Sequence, residues 1–421
     1  MTTATAAASS SAARPQYSVG YRNAVLWLLV VAYTFNFIDR TILATIQQAI
    51  KVDLKLTDAQ LGWLGGLSFA LLYTTLGIPI ARLAERRSRV NIISIAIVVW
   101  SAFTALCGTA TSYVQLLLYR VGVGVGEAGL SPPAHSLISD YFEPKRRATA
   151  LSIYSFGIPL GAMFGAMAGG WIAQNLSWQA AFMLVGLPGV LIALAIKLFI
   201  KEPPRGWADR QAALEAAPEG DQPPGALGRE ASDAGAPSGP ATKPPSILSV
   251  AKRLFGSWGM FHMAAGITIA SFAGYGTGQY APSYFIRTFG LSLATVGFLI
   301  GLIGGVSNGL GTLLGGYLTD WARKRSMRWY ALVPAIGLIV ATPLYILAYT
   351  REDWRLAAGL LLLPGIFHYT YLGPTFGVVQ NAVDVRMRAT AVAVLFFVLN
   401  LIALGFGPPF CGWCIDQFAR H

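Results

Sequence analysis

Eleven stretches of this chain are long and apolar enough to cross a lipid bilayer, and that repetition decides the fold class before any motif is read. A crossing helix needs about 20 mostly apolar residues, because its backbone finds no water to bond with. Such runs lie over 23–48, 60–83, 90–110, 114–140, 148–174 and 178–200, then over 256–285, 293–322, 329–349, 355–381 and 389–415. Composition agrees: 54% of the 421 residues are hydrophobic and 12% are charged, against about 25% charged in soluble domains. The expectation is an all-α membrane protein.

The net charge of +12 points to topology rather than to nucleic acid. Lys and Arg gather in alternate loops: RLAERRSR (82–89), EPKRR (143–147), RKRSMR (323–328) and DVRMR (384–388). The opposite loops carry little beyond Lys51, Lys55, Arg287, Arg351 and Arg355. The positive-inside rule then places the N-terminus and the basic loops in the cytoplasm, the inner membrane being the site if the source is bacterial. Residues 1–20 lack an apolar core and read as a disordered cytoplasmic tail, not a signal peptide. Residues 201–247, rich in Pro, Gly, Ala and charge, read as a flexible cytoplasmic linker. It separates a six-helix bundle (21–200) from a second bundle (248–421, spans 7–11).

The two bundles repeat each other. RRATALSIY (146–154) opens the fifth span and RATAVAVLF (388–396) the eleventh, an offset of 241 residues from Arg147 to Arg388. The same offset carries Pro133 onto Pro374 and Glu127 onto His368. Parallel repeats around a midplane site are a transporter architecture. After the eleventh span the sequence reads IDQFARH, so the repeat predicts eleven spans here and twelve in the parent protein.

Four charges interrupt the apolar runs of the first half: Asp39 and Arg40 in the first span, Arg120 and Glu127 in the antiparallel fourth. With a rise of about 1.5 Å per residue, Asp39, Arg40 and Arg120 reach similar depth, and Glu127 lies about 10 Å deeper on nearly the same face as Arg120. A mid-membrane charge costs about 3 kcal/mol even on insertion scales, so these residues pair or line a polar cavity. One reading is an ion-pair cluster that fixes helix register, although buried pairs stabilise poorly beside apolar replacements. The functional reading is a proton and substrate site. Asp39 is then the carboxylate switched by arginine, and Glu127, farther from the arginines, is the proton carrier. Arg40 or Arg120, with Asn36 close by, binds an anionic head group.

At the matching place the second half has no carboxylate. It offers His368, Tyr369 and Tyr371 in the tenth span and Tyr275 and Tyr280 in the seventh. An aromatic wall opposite a charged one suits an amphipathic substrate, although aromatics also serve ordinary helix packing. His368 reads as a hydrogen-bonding residue rather than a titrating one.

These motifs resemble the major facilitator superfamily. Its loop signature, G-x-x-x-D-R-x-G-R-K, is degenerate in the first copy, which keeps Arg86 and Arg89 but has Glu85 for Asp. The second copy keeps Gly316, Asp320, Lys324 and Arg325. Arg120 and Gly124 match the fourth-span R-x-x-x-G, and Gly157, Gly161, Gly165 and Gly169 resemble its Gly-rich fifth helix. FNFIDR (35–40) with RVGVGVGEA (120–128) resembles the Spinster branch. That resemblance implies proton-coupled movement of sphingolipids or lysophospholipids by alternating access. The loop motifs further suggest cytoplasmic latches, Glu85 meeting Arg388 and Asp320 meeting Arg147, each carboxylate facing a helix N-terminus.

Rival functions are a multidrug:proton antiporter, an intramembrane enzyme, or a sensor. Ser131 and His135 are four apart in SPPAHS, but two prolines and no further ligands argue against catalysis. Three cysteines, two of them in CGWC (411–414), read as helix packing rather than a metal or redox centre. No G-K-[ST] follows the glycines, which excludes a nucleotide loop. The expectation is a monomer using no cofactor beyond a proton gradient, meeting lipid, protons and its substrate.

Overall fold

The computed structural model describes residues 17–216, 251–252, 255–372, 374–375, 378 and 388–418. Seven of the described helices begin where a hydroxyl can bond a free N–H of the first turn. Ser18, Ser88, Ser112, Ser177, Ser257 and Ser292 all do so. Thr57 adds a full capping box with Gln60.

The first bundle contains α1 (Val19–Leu54), α2 (Asp58–Gly65), α3 (Leu67–Arg86), α4 (Arg89–Cys107), α5 (Tyr113–Glu127), α6 (Ser131–Tyr141), α7 (Pro144–Ser155), α8 (Gly157–Asn175) and α9 (Trp178–Phe199). A short α10 (Trp207–Ala216) follows. The second bundle contains α11 (Trp258–Phe289), α12 (Leu293–Ala322), α13 (Trp329–Tyr349), α14 (Trp354–Tyr369), α15 (Arg388–Leu399) and α16 (Gly405–Phe418), the last two joined by a π-helical turn at Asn400–Leu404. The pairs α2–α3, α5–α6, α7–α8 and α15–α16 are each one span broken near its middle.

Among the described residues, eight segments are long and apolar enough to cross a membrane by length and composition. The three remaining expected spans carry the interior's polar side chains: α5–α6 with Arg120, Glu127 and Asp140, α11 with its Tyr, Gln and Ser residues, and α14 ending at His368–Tyr369. The repeat is visible in the backbone. Helix α5 stops at Glu127, and α14 stops at Tyr369, one residue beyond the position 241 later.

Each even-numbered loop between spans of the first bundle lies on the side bearing the N-terminus, here the basic side; the opposite face is the far side. Across the halves, α8 packs on α12 and α2 on α16. A Cβ on Gly301 of α12 would lie 2.7 Å from the Met163 carbonyl, so glycine lets these backbones touch. A Cβ on Gly62 of α2 would lie 2.6 Å from Pro409 Cα of α16.

The halves are fastened on one side. Every hydrogen bond between them among the described residues joins residues 47–59 or 174 to residues 279–293 or 416, all on the far side. None joins them on the basic side among the described residues. The interior therefore opens toward the basic side.

Two predicted flexible segments are ordered in part. Residues 17–20 of the expected tail are structured: Tyr17 is buried and packs on Tyr141 and Trp207, with ring centroids 5.1 and 5.0 Å away. Residues 201–216 of the expected linker are docked on the first bundle. Glu202 accepts from Ser88 Oγ at 2.9 Å and from Arg89 Nε at 2.6 Å. Arg205 donates to the Ala84 and Arg87 carbonyls that end α3, and Trp207 and Ala208 are buried. One tryptophan in a Pro/Gly/Ala-rich stretch was enough apolar surface to anchor a turn and a helix. Residues 1–16 and 217–247 lie outside the described residues.

Candidate functional site

The charged cluster of the first half is assembled by two helices. On α1, Asn36, Asp39 and Arg40 fall within one turn or so; on α5, Arg120 and Glu127 are two turns apart and share a face. Asp39 and Arg120 form one pair, Nη1 to Oδ2 at 3.4 Å, with Thr104 Oγ1 donating to the other carboxylate oxygen at 2.9 Å. Arg40 and Glu127 form a second, Nε to Oε2 at 2.6 Å. This corrects the expectation that Glu127 stands apart from the arginines. Depth along the helix axis places Cα atoms only, and the long Arg40 side chain reaches down to the glutamate.

Exposure separates the four. Asp39, Arg120 and Glu127 are sealed, whereas the Arg40 side chain is 20% exposed and covers a Glu127 side chain at 0%. Its guanidinium lies 4.9 Å from the Phe37 ring centroid, 4.8 Å from Phe69 and 4.4 Å from Tyr73. Arg120 lies 5.7 Å from the same Phe69. These rings hold the cations electrostatically where water is scarce. Phe69 and Tyr73, four apart on α3, were missed in the sequence, where they look like ordinary packing residues. Asn36 Nδ2, Arg120 Nε and Glu127 Oε1 are buried with no protein partner among the described residues, leaving hydrogen-bonding capacity inside the cluster.

Facing it, the second half is aromatic. His368 is buried between Tyr345, Tyr369 and Tyr371, with centroids at 6.1, 5.4 and 5.7 Å. Tyr371 and Ser271 share a hydroxyl hydrogen bond of 2.9 Å. Tyr275 is 40% exposed and within electrostatic reach of Tyr371 on its own half and of Arg40 and Tyr73 opposite. It is the residue of this wall that looks across to the charged one. Tyr280 is elsewhere: its hydroxyl donates to the Asp58 carbonyl at the far side, so it belongs to the closure and not to the interior wall.

That closure is the functional element the sequence did not disclose. Asp58, at the start of α2, has a side chain only 2% exposed. Arg287 of α11 grips it with both terminal nitrogens, at 2.9 and 2.5 Å, and Lys51 adds a third contact at 2.5 Å. In return Asp416 of α16 accepts the N–H groups of Asp58 and Ala59 at 2.9 and 2.8 Å, a carboxylate on a helix N-terminus across the bundle interface. Gln47 binds the Gln279 carbonyl and Ser283 one turn further in. In the sequence, Lys51 and Arg287 look like minor loop charges.

Of the two expected basic-side latches, the Asp320–Arg147 pair is not formed. Asp320 pairs with Arg323 of its own helix end at 3.0 Å. Arg147 instead donates to Asp209 and to the Ser139 carbonyl, each at 2.8 Å. Glu85 and Arg86 are exposed, and the Arg388 side chain lies outside the described residues. Arg89, also expected at the gate, is wholly buried within the first bundle between Asp140, Glu202, Ser136 and the Pro203 carbonyl. It is a brace, not a latch. The missing Asp320–Arg147 latch follows from the opening: with the halves joined at the far side, their basic ends stand apart.

Residues 29–408 match the Major Facilitator Superfamily. The chain belongs to that superfamily. A crystal structure of a bacterial homologue of the human lysosomal transporter Spinster, inward-facing and unoccupied, superposes with a TM-score of 0.81 at 34% identity, covering 96% of this chain and 84% of that one. An MFS-type efflux pump of Mycolicibacterium smegmatis is 31% identical over 94% of this chain and 84% of its own length. Protein spinster homolog 1 of Xenopus tropicalis is 26% identical over 96% of this chain and 75% of its own. The transporter is thus a Spinster-like, multi-pass membrane protein of the superfamily, with the fold of carriers and not of enzymes.

Proposed function

We propose that this transporter couples protons to the movement of an amphipathic, lipid-like substrate of the sphingolipid or lysophospholipid type. It works by alternating access, as a monomer needing no cofactor beyond the proton gradient, in an inner membrane with its basic side in the cytoplasm. The observation that carries this reading is the Arg40–Glu127 pair, in which the exposed member is the cation. An anionic head group entering from the basic side meets Arg40 first and competes with Glu127 for it. A carboxylate deprived of its cation in a site without solvent is costly as an anion, so Glu127 takes up a proton as the head group binds. Proton and substrate then share one switch. The acyl chain lies against Tyr275, Tyr369 and Tyr371, and Asp39–Arg120 provides a second, deeper pair that re-forms or parts as the halves rock.

The 31% identical efflux pump favours a second reading, a multidrug:proton antiporter using the same cluster. Flux into proteoliposomes under an imposed pH gradient separates the two. Gradient-dependent movement of a labelled lysophospholipid, inhibited by anionic head-group analogues, supports the first. Movement of cationic drugs with none of lysophospholipid overturns it in favour of the second.

A further inference from the structure

We propose that Asp209 is a gating residue: it holds Arg147 while the basic side is open and surrenders it to Asp320 when that side closes. The proposal rests on the alternating-access reading and adds to it a role for the segment between the two bundles.

Arg147 sits at the start of the fifth span, on the side where the halves are parted. Its guanidinium is engaged twice, at 2.8 Å by Asp209 and at 2.8 Å by the Ser139 carbonyl. Asp209 comes from the first turn of α10, and α10 is not free to wander. Gly206 N–H donates to Asp140 Oδ1 at 3.0 Å, and Asp140 also meets the buried Arg89. Glu202 ties the same Arg89 to the head of α4, accepting from Val90 N–H at 3.0 Å. Trp207 is buried against Tyr17 and lies under the Arg22 guanidinium, 6.0 Å from its centroid. Asp209 therefore moves as part of the first bundle and presents a fixed carboxylate to Arg147.

Asp320, on the other half, is spent on nothing comparable. Its side chain is 70% exposed and, among the described residues, meets only Arg323, three residues on and itself 50% exposed. When the basic ends approach, Asp320 is the carboxylate offered to the start of α7, where the helix N-terminus adds to the attraction of Arg147. One guanidinium then faces two carboxylates on opposite bundles, and its choice tracks the state. Asp209 biases the equilibrium toward the open basic side.

The test uses spin labels at Leu83 and Met327, both exposed on the basic side, in full-length protein lacking other cysteines, with inter-label distances read in lipid nanodiscs. Pairs this exposed change an equilibrium by about two- to fivefold. Asp209→Asn is expected to raise the closed-to-open ratio by that factor, Asp320→Asn to lower it, and the double variant to show no rise. An unchanged ratio in Asp209→Asn alongside a lowered one in Asp320→Asn overturns the role of Asp209 and leaves alternating access standing. A rise that persists in the double variant overturns the hand-off, because α10 would then act without Asp320. Single variants that both leave the distances unchanged remove the latch as well. A melting temperature within a degree or two of the parent confirms that the exposed Asp209→Asn change leaves the fold intact.

Discussion

Replacing Asp58 with Asn should open the far side. The substitution keeps the shape, the helix start and the two backbone N–H bonds to Asp416, and it removes only the charge that Arg287 and Lys51 share. Losing one partner of a fully buried pair costs about 3–5 kcal/mol, whereas an exposed pair contributes about 1 kcal/mol or less. The carboxylate is 2% exposed, but Lys51 and Arg287 are 26% and 29% exposed, so both cations partly re-solvate once released. We take about 2 kcal/mol for the closed state, roughly a 30-fold shift in the open-to-closed ratio. Spin labels at Lys55 and Glu352, on far-side loops of opposite halves, read it directly as growth of a longer-distance population. Arg287→Ala should reproduce most of the effect, because it supplies two of the three contacts; Lys51→Ala should give much less. Identical distance distributions in the parent and Asp58→Asn would show that the α2–α16 glycine–proline packing alone holds the far side, and the electrostatic account would fail.

Two further changes separate bracing from motion. Arg89→Ala strips the buried guanidinium from Asp140 and Glu202; because those carboxylates are 13% and 31% exposed, about 3 kcal/mol of stability should be lost, seen as a lower melting temperature, while exposed Arg86→Ala stays within about 0.5 kcal/mol. Gly301→Val forces a side chain against the Met163 backbone and should cost about 1–3 kcal/mol at the α8–α12 contact; Gly304→Val, whose Cβ would meet nothing within 4 Å, is the control for the same assay.

Much of this molecule was legible because its constraints are periodic. Spans repeat, basic loops alternate, and the 241-residue offset that matched Arg147 to Arg388 also matched, to within one residue, the breaks after Glu127 and Tyr369. The inward charges were legible for a different reason: lipid tolerates Asp39, Arg40, Arg120 and Glu127 only if they are paired or line a cavity. What a helical depth estimate does not contain is side-chain reach, and Arg40 crossed the gap assigned to Glu127. The Asp58 closure was hidden because Asp after a Thr cap is an ordinary helix start, and its partner Arg287 lies 229 residues away, brought near only by docking of the halves. Tyr280 was misplaced for the same reason: seventh-span position does not reveal whether a tyrosine faces the interior or the seal. In the linker, composition outweighed a single Trp207, although one buried indole with neighbouring polar caps sufficed to dock α10.

The central claim is that Glu127 carries the coupled proton under the control of Arg40. Its most direct test is lysophospholipid flux in proteoliposomes with and without a pH gradient, comparing the parent with Glu127→Gln. The account predicts that the parent accelerates under the gradient while Glu127→Gln, unable to exchange a proton, moves substrate at one rate whether or not the gradient is present. A Glu127→Gln protein that responds to the gradient as fully as the parent would contradict it.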